Sequence, residues 1–412
     1  MRILLFGQWY RPEPAYGLQD IAQVLIKKGH DVTVLTGFPN YPSGKLYPGY
    51  RIKHWQKEQL NGVPVVRVPL YPDHSKGKIR RTINYLSFML SSSMLGPFLI
   101  PKPDVMFVYH PPLTVGVAAY VMSRVWKIPF VYQIQDMWPE TLQATGMLHN
   151  PKILNGIDRV AKWVYAKADA ICVISPGFRD NLIQKGVQQH KIHTIPNWVD
   201  LQKYHPAPAN TEKARKLGLD GHFNIMFAGN IGEAQGLETL VSAAMLLRKT
   251  PAIQFVLVGD GIAVPRLKAL SKKHNLNNIR FLGRFPAEEM SELYALADVL
   301  LVHLKDDPLF RITIPHKILS YLAVGKPILS AVKGDASDVV QHARAGLTCP
   351  PEDANALAAT ALQFYEMPDA ERTKMGRRGL DAAQTHFEKE TLITQIETLM
   401  QSLIAVKTNE TI

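Results

Sequence analysis

Only 2 of the 412 residues are cysteine, Cys172 and Cys349, and they lie far apart. That count supports neither a disulfide framework nor a zinc-ligand spacing, and it points to the reducing cytoplasm. Cys172 sits in the apolar run Ala168-Asp-Ala-Ile-Cys-Val-Ile174 and reads as a core residue. No run reaches the ~20 apolar residues that span a bilayer. The nearest, residues 85–100, is interrupted by Ser91, Ser92, Ser93, Gly96 and Pro97. Met1-Arg-Ile-Leu-Leu-Phe6 runs straight into a strand and not into a signal peptide. No His/Cys/Asp cluster has metal spacing, and no Asp-x-Asp pair is present. A Gly-x-Ser-x-Gly elbow and a P-loop lysine motif are missing too. Metal, serine-hydrolase and Walker-type chemistries therefore find no footing, and the expected cofactor is none.

What is present is apolar content of 46% with 20% charged residues, a soluble globular composition with large cores. The length favours two domains. The net charge of +12 calls for anionic partners. No nucleic-acid-binding motif accompanies it, which leaves phosphorylated substrates or an anionic membrane. Lys76, Lys78, Arg80 and Arg81 precede Ile83, Tyr85, Leu86, Phe88, Met89, Leu90, Met94 and Leu95. A basic start with an apolar face behind it lies well on an anionic bilayer. The same pattern also fits a buried helix with a solvated basic end.

Short apolar strands at residues 2–7, 31–36, 105–109, 129–133 and 170–174 alternate with helical stretches at 18–28, 114–126 and 154–166. Residues 195–208 carry three prolines and read as a linker. A second series has strands at 224–228, 254–258, 279–282, 299–302 and 328–332. Its helices are at 237–247, 264–274, 287–295, 317–322 and 355–365. Residues 388–405 form an amphipathic closing helix. The alternation predicts an α/β fold with two doubly wound parallel sheets, and ligands belong at the carboxyl ends of their strands.

Several motifs fall at such ends. In Phe227-Ala-Gly-Asn-Ile-Gly-Glu-Ala-Gln-Gly-Leu237, the glycines Gly229, Gly232 and Gly236 let backbone N–H groups approach a diphosphate. Thr313-Ile-Pro-His-Lys-Ile-Leu-Ser-Tyr-Leu-Ala-Val-Gly-Lys-Pro-Ile328 is a loop, a short helix stopped by Gly325, and a strand. Arg311 and Lys317 flank its Thr313 loop as candidate phosphate cations. Gly259 and Asp260 follow another strand, where Asp260 is either a turn residue or a cap near a nucleotide. In the first half, Glu13 and Gly17 lie in the loop after the first strand, and His110 follows a strand. Asp136 lies in Gln135-Asp-Met-Trp-Pro-Glu140, either as a carboxylate that accepts a hydrogen bond from a substrate hydroxyl or as a helix cap.

Segment 313–328 resembles the donor-binding segment of family 4 glycosyltransferases of the GT-B fold. Segment 227–237 resembles their diphosphate loop, and Phe281-Leu-Gly-Arg-Phe285, with Gly283 and Arg284, resembles their base-packing segment. Residues 10–17, 38–44, 135–140 and His110-Pro-Pro112 closely resemble bacterial transferases of O-antigen and colanic-acid assembly. Near relatives of those enzymes handle N-acetyl-fucosamine-type sugars. The resemblance runs over nearly the whole chain. There are departures: Asn230 and Gln235 stand where many members carry arginine and lysine. Ile312 and Ser320 stand at the usual glutamates, and Gln135 replaces a frequent histidine.

The resemblance implies two Rossmann-like domains facing a cleft. Residues 1–200 would bind the acceptor, with 388–412 crossing back to them, and residues 201–387 would bind the nucleotide-sugar. It implies metal-independent, retaining transfer from a UDP-sugar to a polyprenyl-diphosphate-linked saccharide for surface polysaccharide. The enzyme would be cytoplasmic, peripheral on the inner face of the bacterial membrane, with no nucleic-acid partner. The implied catalytic set is Asp136, Glu13 and His110. The donor set is Gly17, Gly229, Asn230, Gly232, Gln235, Gly259, Asp260, Gly283, Arg284, Arg311, Thr313, Lys317 and Ser320. A nucleotide-sugar epimerase of the same fold, or a non-enzymatic basic protein, remains open at this point.

Overall fold

Parallel strands buried on both faces should read as near-continuous apolar runs, and the central strands do. The structure is a computed structural model that describes residues 1–14, 16–73 and 78–409. Lys76, one of the four cations of the expected membrane-facing start, lies outside the described residues, as does the side chain of Lys78. The chain forms two compact units. Unit 1 comprises Met1–Ile174, Phe178–Ile195 and the chain from Glu390, and unit 2 comprises Ser175–Gly177 and Pro196–Lys389.

Unit 1 holds β1 (Arg2–Phe6), β2 (Asp31–Gly37), β3 (Gln56–Leu60), β4 (Val63–Val68), β5 (Val105–Tyr109), β6 (Phe130–Ile134), β7 (Ala170–Val173) and β8 (Ile192–Thr194). Their spatial order is β3-β4-β2-β1-β5-β6-β7-β8. All pairings are parallel except that of β3 with β4. The order runs outward from β1 on both sides, so the strand order reverses between β1 and β5. That is where a doubly wound sheet opens a crevice for ligands.

The β3–β4 hairpin is absent from the sequence-based elements above. Its strand Gln-Lys-Glu-Gln-Leu is too polar to stand out, because it is an edge strand alternating half-buried and exposed. The turn itself is chemically explicit. Asn61 and Gly62 both have positive φ, 52° and 79°, as a two-residue type I′ hairpin requires. The helix Lys389–Asn409 belongs to unit 1. It buries Leu392, Ile393, Ile396 and Met400. Glu397 bridges Lys28 and His30, both at 2.6 Å.

Unit 2 holds β9 (Phe223–Ala228), β10 (Ile253–Val258), β11 (Ile279–Gly283), β12 (Val299–His303), β13 (Ile328–Ala331) and β14 (Gly346–Thr348). The order β11-β10-β9-β12-β13-β14 is the Rossmann order 3-2-1-4-5-6, and every pairing is parallel. Its reversal falls between β9 and β12. Residues 287–295, expected as one helix, are a 3₁₀ turn (Ala287–Glu289) followed by the helix Met290–Ala295. The helix Asp369–His386 is absent from the sequence-based elements above, and Gly376 and Gly379 lie inside it. Both are there for packing: a Cβ at Gly376 would meet the Gly325 carbonyl, and one at Gly379 would meet Leu322 at 3.1 Å.

One buried charge organises the loops of unit 1. The Arg67 side chain is fully buried. Its Nε donates to Glu58 at 2.5 Å, its Nη1 to the Gly37 carbonyl at 2.7 Å, and its Nη2 to the Arg11 carbonyl. The guanidinium lies 4.9 Å from the Tyr50 ring centroid. It thereby ties the loop after β1 to the end of β2. Arg67→Met removes three donors at once: the Gly37 and Arg11 carbonyls lose the guanidinium, and Glu58 keeps only Tyr50 and Gln56. Loss of one partner from such a buried pair costs about 3–5 kcal/mol. The urea midpoint should fall accordingly, and a midpoint within error of wild type would refute this role.

Candidate functional site

In unit 2 the site grows from three glycines at the ends of adjacent strands. Gly229, Gly259 and Gly283 terminate β9, β10 and β11, with φ of 134°, 124° and 77°. Backbone bonds join them in a row: Gly229 N–H donates to Val258 O at 3.0 Å, and Gly259 N–H to Gly283 O at 2.7 Å. A Cβ at Gly259 would lie 1.9 Å from the Gly229 carbonyl, so no other residue fits there.

Lys317 reaches this row from the helix His316–Ala323. Pro315 starts that helix, and four residues after Lys317, on the same helix face, the Tyr321 hydroxyl accepts from Ala228 N–H at 2.9 Å. This clamp holds Lys317 under the end of β9. Its Nζ lies 3.6 Å from the Phe227 ring centroid and 3.4 Å from where a Cβ of Gly229 would be. The ammonium is buried and has no hydrogen-bond acceptor among the described residues. Burial pulls its pKa from the usual 10.5 down to about 7. A buried amine set over an aromatic face, with no acceptor among the described residues, is poised for an anion.

The glycine loop contributes less than the sequence implies. The amides of Gly229, Ile231, Gly232, Gln235 and Gly236 are all engaged within the fold, Gly232 N–H with Gln235 Oε1 at 3.0 Å. The amides at 230, 233 and 234 carry no such bond among the described residues. Gln235 is a loop latch whose carbonyl accepts from His303 Nδ1 at 2.6 Å. His303 Nε2 accepts from Glu352 N–H at 3.4 Å, so the ring is neutral, and burial lowers its pKa.

The remaining expected donor residues divide. Asn230 is exposed beside the row. Asp260 accepts from Gly261 N–H at 2.8 Å as a turn residue and pairs at 3.5 Å with Arg284, which is mostly exposed. Arg311 is also exposed, bound to Asp306 at 2.8 Å, and Asp306 holds Lys333 at 2.6 Å as well. Lys317, not Arg311, is thus the cation placed at the glycines. Thr313 Oγ1 donates to the Leu309 carbonyl at 2.8 Å. Ser320 is buried, donates to the Lys317 carbonyl at 3.1 Å and has Tyr294 as a side-chain partner. It faces the core and does not take over the duty of a glutamate.

In unit 1 the corresponding place is the reversal between β1 and β5. A Cβ at Gly17 would lie 2.4 Å from the Tyr109 hydroxyl, so Gly17 is a glycine because Tyr109 occupies that space. Tyr109 ends β5 and was missed from sequence, where it read as one more apolar strand residue. Burial raises its pKa, and the charges of Asp136 and Asp20 raise it further. Asp136 follows β6. No hydrogen-bond donor meets it among the described residues, and it does not cap the helix Glu140–Ala144, which has no side-chain cap. Burial raises its pKa, and its charge also acts on Tyr41.

Glu13 and His110 have other duties. Glu13 is buried, and both its oxygens are taken: Oε1 accepts from Asn40 and Tyr41 N–H, each at 2.8 Å, and Oε2 from Tyr10 N–H at 3.1 Å. Burial still pushes its pKa up to about 7. It fastens the loop after β1 to the loop after β2. His110 is buried edge-on to Trp138 at 5.7 Å, its Nδ1 unpartnered. Burial lowers its pKa to about 3, which disfavours the imidazolium form. Among the described residues, no group of three or more His, Cys, Asp or Glu is placed to hold a metal.

Comparison with known proteins adds the family. Residues 14–198 match the glycosyl transferase 4-like domain, and residues 222–367 match the glycosyl transferases group 1 domain. WcaI of Escherichia coli (strain K12), named for colanic acid biosynthesis, is 29% identical over 341 residues, 79% of this chain and 82% of its own. WbjE of Pseudomonas aeruginosa, a glycosyltransferase by name, is 29% identical over 261 residues, 62% of this chain and 63% of its own. The crystal structure of Anabaena Alr3699/HepE in complex with UDP superposes with a TM-score of 0.75 at 19% identity, covering 98% of this chain and 100% of that one. These matches set aside the reading as a non-enzymatic basic protein.

Lys317 also makes a stability prediction. The unfolded chain keeps this proton up to the usual lysine value of 10.5, whereas the folded chain releases it near pH 7. The group's contribution to stability therefore rises with pH between those values. Lys317→Met removes the buried base. Its stability gain over wild type should be largest at or below pH 7 and shrink towards pH 10. A pH-independent difference in denaturation midpoint would contradict this.

Proposed function

Because the chain belongs to the glycosyltransferases of the GT-B fold, we propose that it transfers a sugar from a UDP-sugar to a polyprenyl-diphosphate-linked saccharide, with retention, in the assembly of a bacterial surface polysaccharide. The observation that carries the donor half is the buried Lys317 ammonium without an acceptor at the strand-order reversal of unit 2. A diphosphate there supplies the missing acceptor and restores the lysine's charge. The leaving diphosphate gains charge as the glycosidic bond breaks, and a preorganised cation stabilises that change without reorganisation. Lys317 does this work in place of a metal ion. The UDP named for the HepE complex and the colanic acid named for WcaI agree with the donor and product classes.

In unit 1, Asp136 is the carboxylate free to accept a hydrogen bond from the acceptor or donor hydroxyl. Its raised pKa suits a group that shares a proton, and Tyr109 stands beside it as a hydroxyl donor. Among the described residues we assign no side chain as a covalent nucleophile. Attack on the donor's own face, with the leaving phosphate taking the proton, fits that arrangement.

Asp136→Asn keeps the size and removes the charge. Transfer should fall by about 10²-fold, the scale of a general acid–base group. UDP affinity and melting temperature should stay at wild-type values, because Asp136 makes no hydrogen bond within the fold. A fully active variant would remove Asp136 from the mechanism.

A further inference from the structure

Three buried amides, Gln8, Asn40 and Asn84, are bonded to one another inside unit 1. Gln8 Nε2 donates to Asn84 Oδ1 at 2.6 Å, and Asn84 Nδ2 donates to Asn40 Oδ1 at 3.3 Å. Each is followed in the chain by an aromatic residue, Trp9, Tyr41 and Tyr85 respectively. The trio thereby brings together rings from three separate segments: the loop after β1, the loop after β2 and the helix Lys78–Leu99. We propose that these rings, with Trp138, form an aromatic subsite on which the sugar ring of the acceptor lies.

The rings are close and held. Trp9 stacks on Tyr41 with centroids 4.5 Å apart and 27° between the planes. Tyr85 meets Trp138 at 6.3 Å. Trp9, Tyr41 and Trp138 follow the carboxyl ends of β1, β2 and β6, the strands around the reversal of strand order in unit 1. Ligands of a doubly wound sheet bind there. Glu13 fixes the same loops, since its carboxylate accepts from the N–H of Tyr41 and from that of Tyr10, next after Trp9. The Tyr47 hydroxyl donates to the Tyr41 carbonyl at 2.9 Å.

Core packing alone does not explain this arrangement. Phe6, Tyr10 and Phe88, neighbours of these positions in the chain, are fully buried. Trp9, Tyr41, Tyr85 and Trp138 are only half-buried. Polar side chains are costly to bury, and a bonded trio of them fixes one arrangement of the segments that carry it. Here the segments so fixed present rings that stay partly open. Fixing rings in advance removes the ordering cost that a ligand would otherwise meet on binding.

The polar groups beside the rings suit a sugar. A pyranose has a face of C–H bonds, which rests on the negative face of an aromatic ring, and a rim of hydroxyls. Asp136 lies two residues before Trp138, with no hydrogen-bond donor among the described residues. The charges of Asp136 and Arg81 both act on Tyr41, and that of Arg81 acts on Tyr85 as well. A carboxylate that accepts and a guanidinium that donates serve the hydroxyl rim, while the rings serve the C–H face. A sugar laid on the rings would turn one hydroxyl towards Asp136. That the sugar is the acceptor's rests on the proposed function; that the rings bind a sugar does not.

The test uses the full chain and saturation-transfer NMR with the methyl glycosides of glucose, galactose, mannose, N-acetylglucosamine, N-acetylgalactosamine, fucose and rhamnose. At least one should receive saturation, strongest at the C–H protons of one ring face. Trp9→Leu and Tyr41→Leu should each weaken that binding by about two- to tenfold, the scale of one aromatic contact, with UDP affinity unchanged. Trp9→Phe should keep most of it, because a ring is retained. Should Trp9→Leu melt early, Tyr41→Leu carries the same expectation. The glycoside should stay bound when UDP or UDP-glucose is added. Displacement by UDP would assign the rings to a base, and displacement by UDP-glucose alone would assign them to the donor's sugar; either overturns the proposal. So does a panel without a binder, or leucine variants that bind like wild type. No product is measured, so a protein that binds a glycoside but transfers no sugar refutes the proposed function alone, and one that transfers without these rings refutes the subsite alone.

Discussion

A lysine ammonium held against an aromatic ring, with no acceptor, is an expensive arrangement in a protein interior. Unit 2 is arranged around it. Tyr321, one turn beyond Lys317, ties the helix to Ala228, the last residue of β9. Gly229, next in the chain, gives the ammonium room that a side chain would fill. Gly259 continues the row because its backbone must touch that of Gly229, and Gly283 because its φ is positive. The helix, the strand ends and the glycines satisfy one steric condition together, and its result is a lysine amine kept out of water at the place where the strand order reverses, its proton held only weakly.

Unit 1 uses its buried charges differently. Arg67 and Glu13 are satisfied entirely by backbone groups and by Glu58, and so hold the loops after β1 and β2 in one conformation. Gln8 and Asn84 extend this support, with Gln8 Nε2 donating to Asn84 Oδ1 at 2.6 Å. Asp136 by contrast is a partly buried carboxylate with no donor among the described residues. The contrast separates the roles: a charge completed within the fold positions, and a charge left incomplete is available to a substrate.

Much of the fold was legible because the central strands are buried on both faces. Residues 105–109 and 114–126 coincide with an observed strand and helix, since an apolar run and a helical period leave little choice there. The polar edge strand β3 escaped, though Asn61-Gly62 signals its turn. The site was legible in part. Glycines after strands and a lysine after Pro315 are local patterns. Which cation is buried depends on packing, so Arg311 and Lys317 looked equivalent until Asp306 was seen to hold the first. Glu13 and Asp136 likewise differ only in which backbone amides surround them. Tyr109 and Tyr321 read as apolar strand and helix residues, although the spacing of Tyr321 from Lys317 was a usable signal.

The central claim is that a nucleoside diphosphate supplies the acceptor Lys317 lacks. Proton uptake on UDP binding at pH 8, read by calorimetry in buffers of different ionisation enthalpy, tests it most directly. With a pKa of about 7, Lys317 is mostly neutral at that pH in the free protein and becomes charged beside a diphosphate. Wild type should take up close to one proton per UDP bound, and Lys317→Met close to none. UDP binding without proton uptake in the wild type would contradict the account.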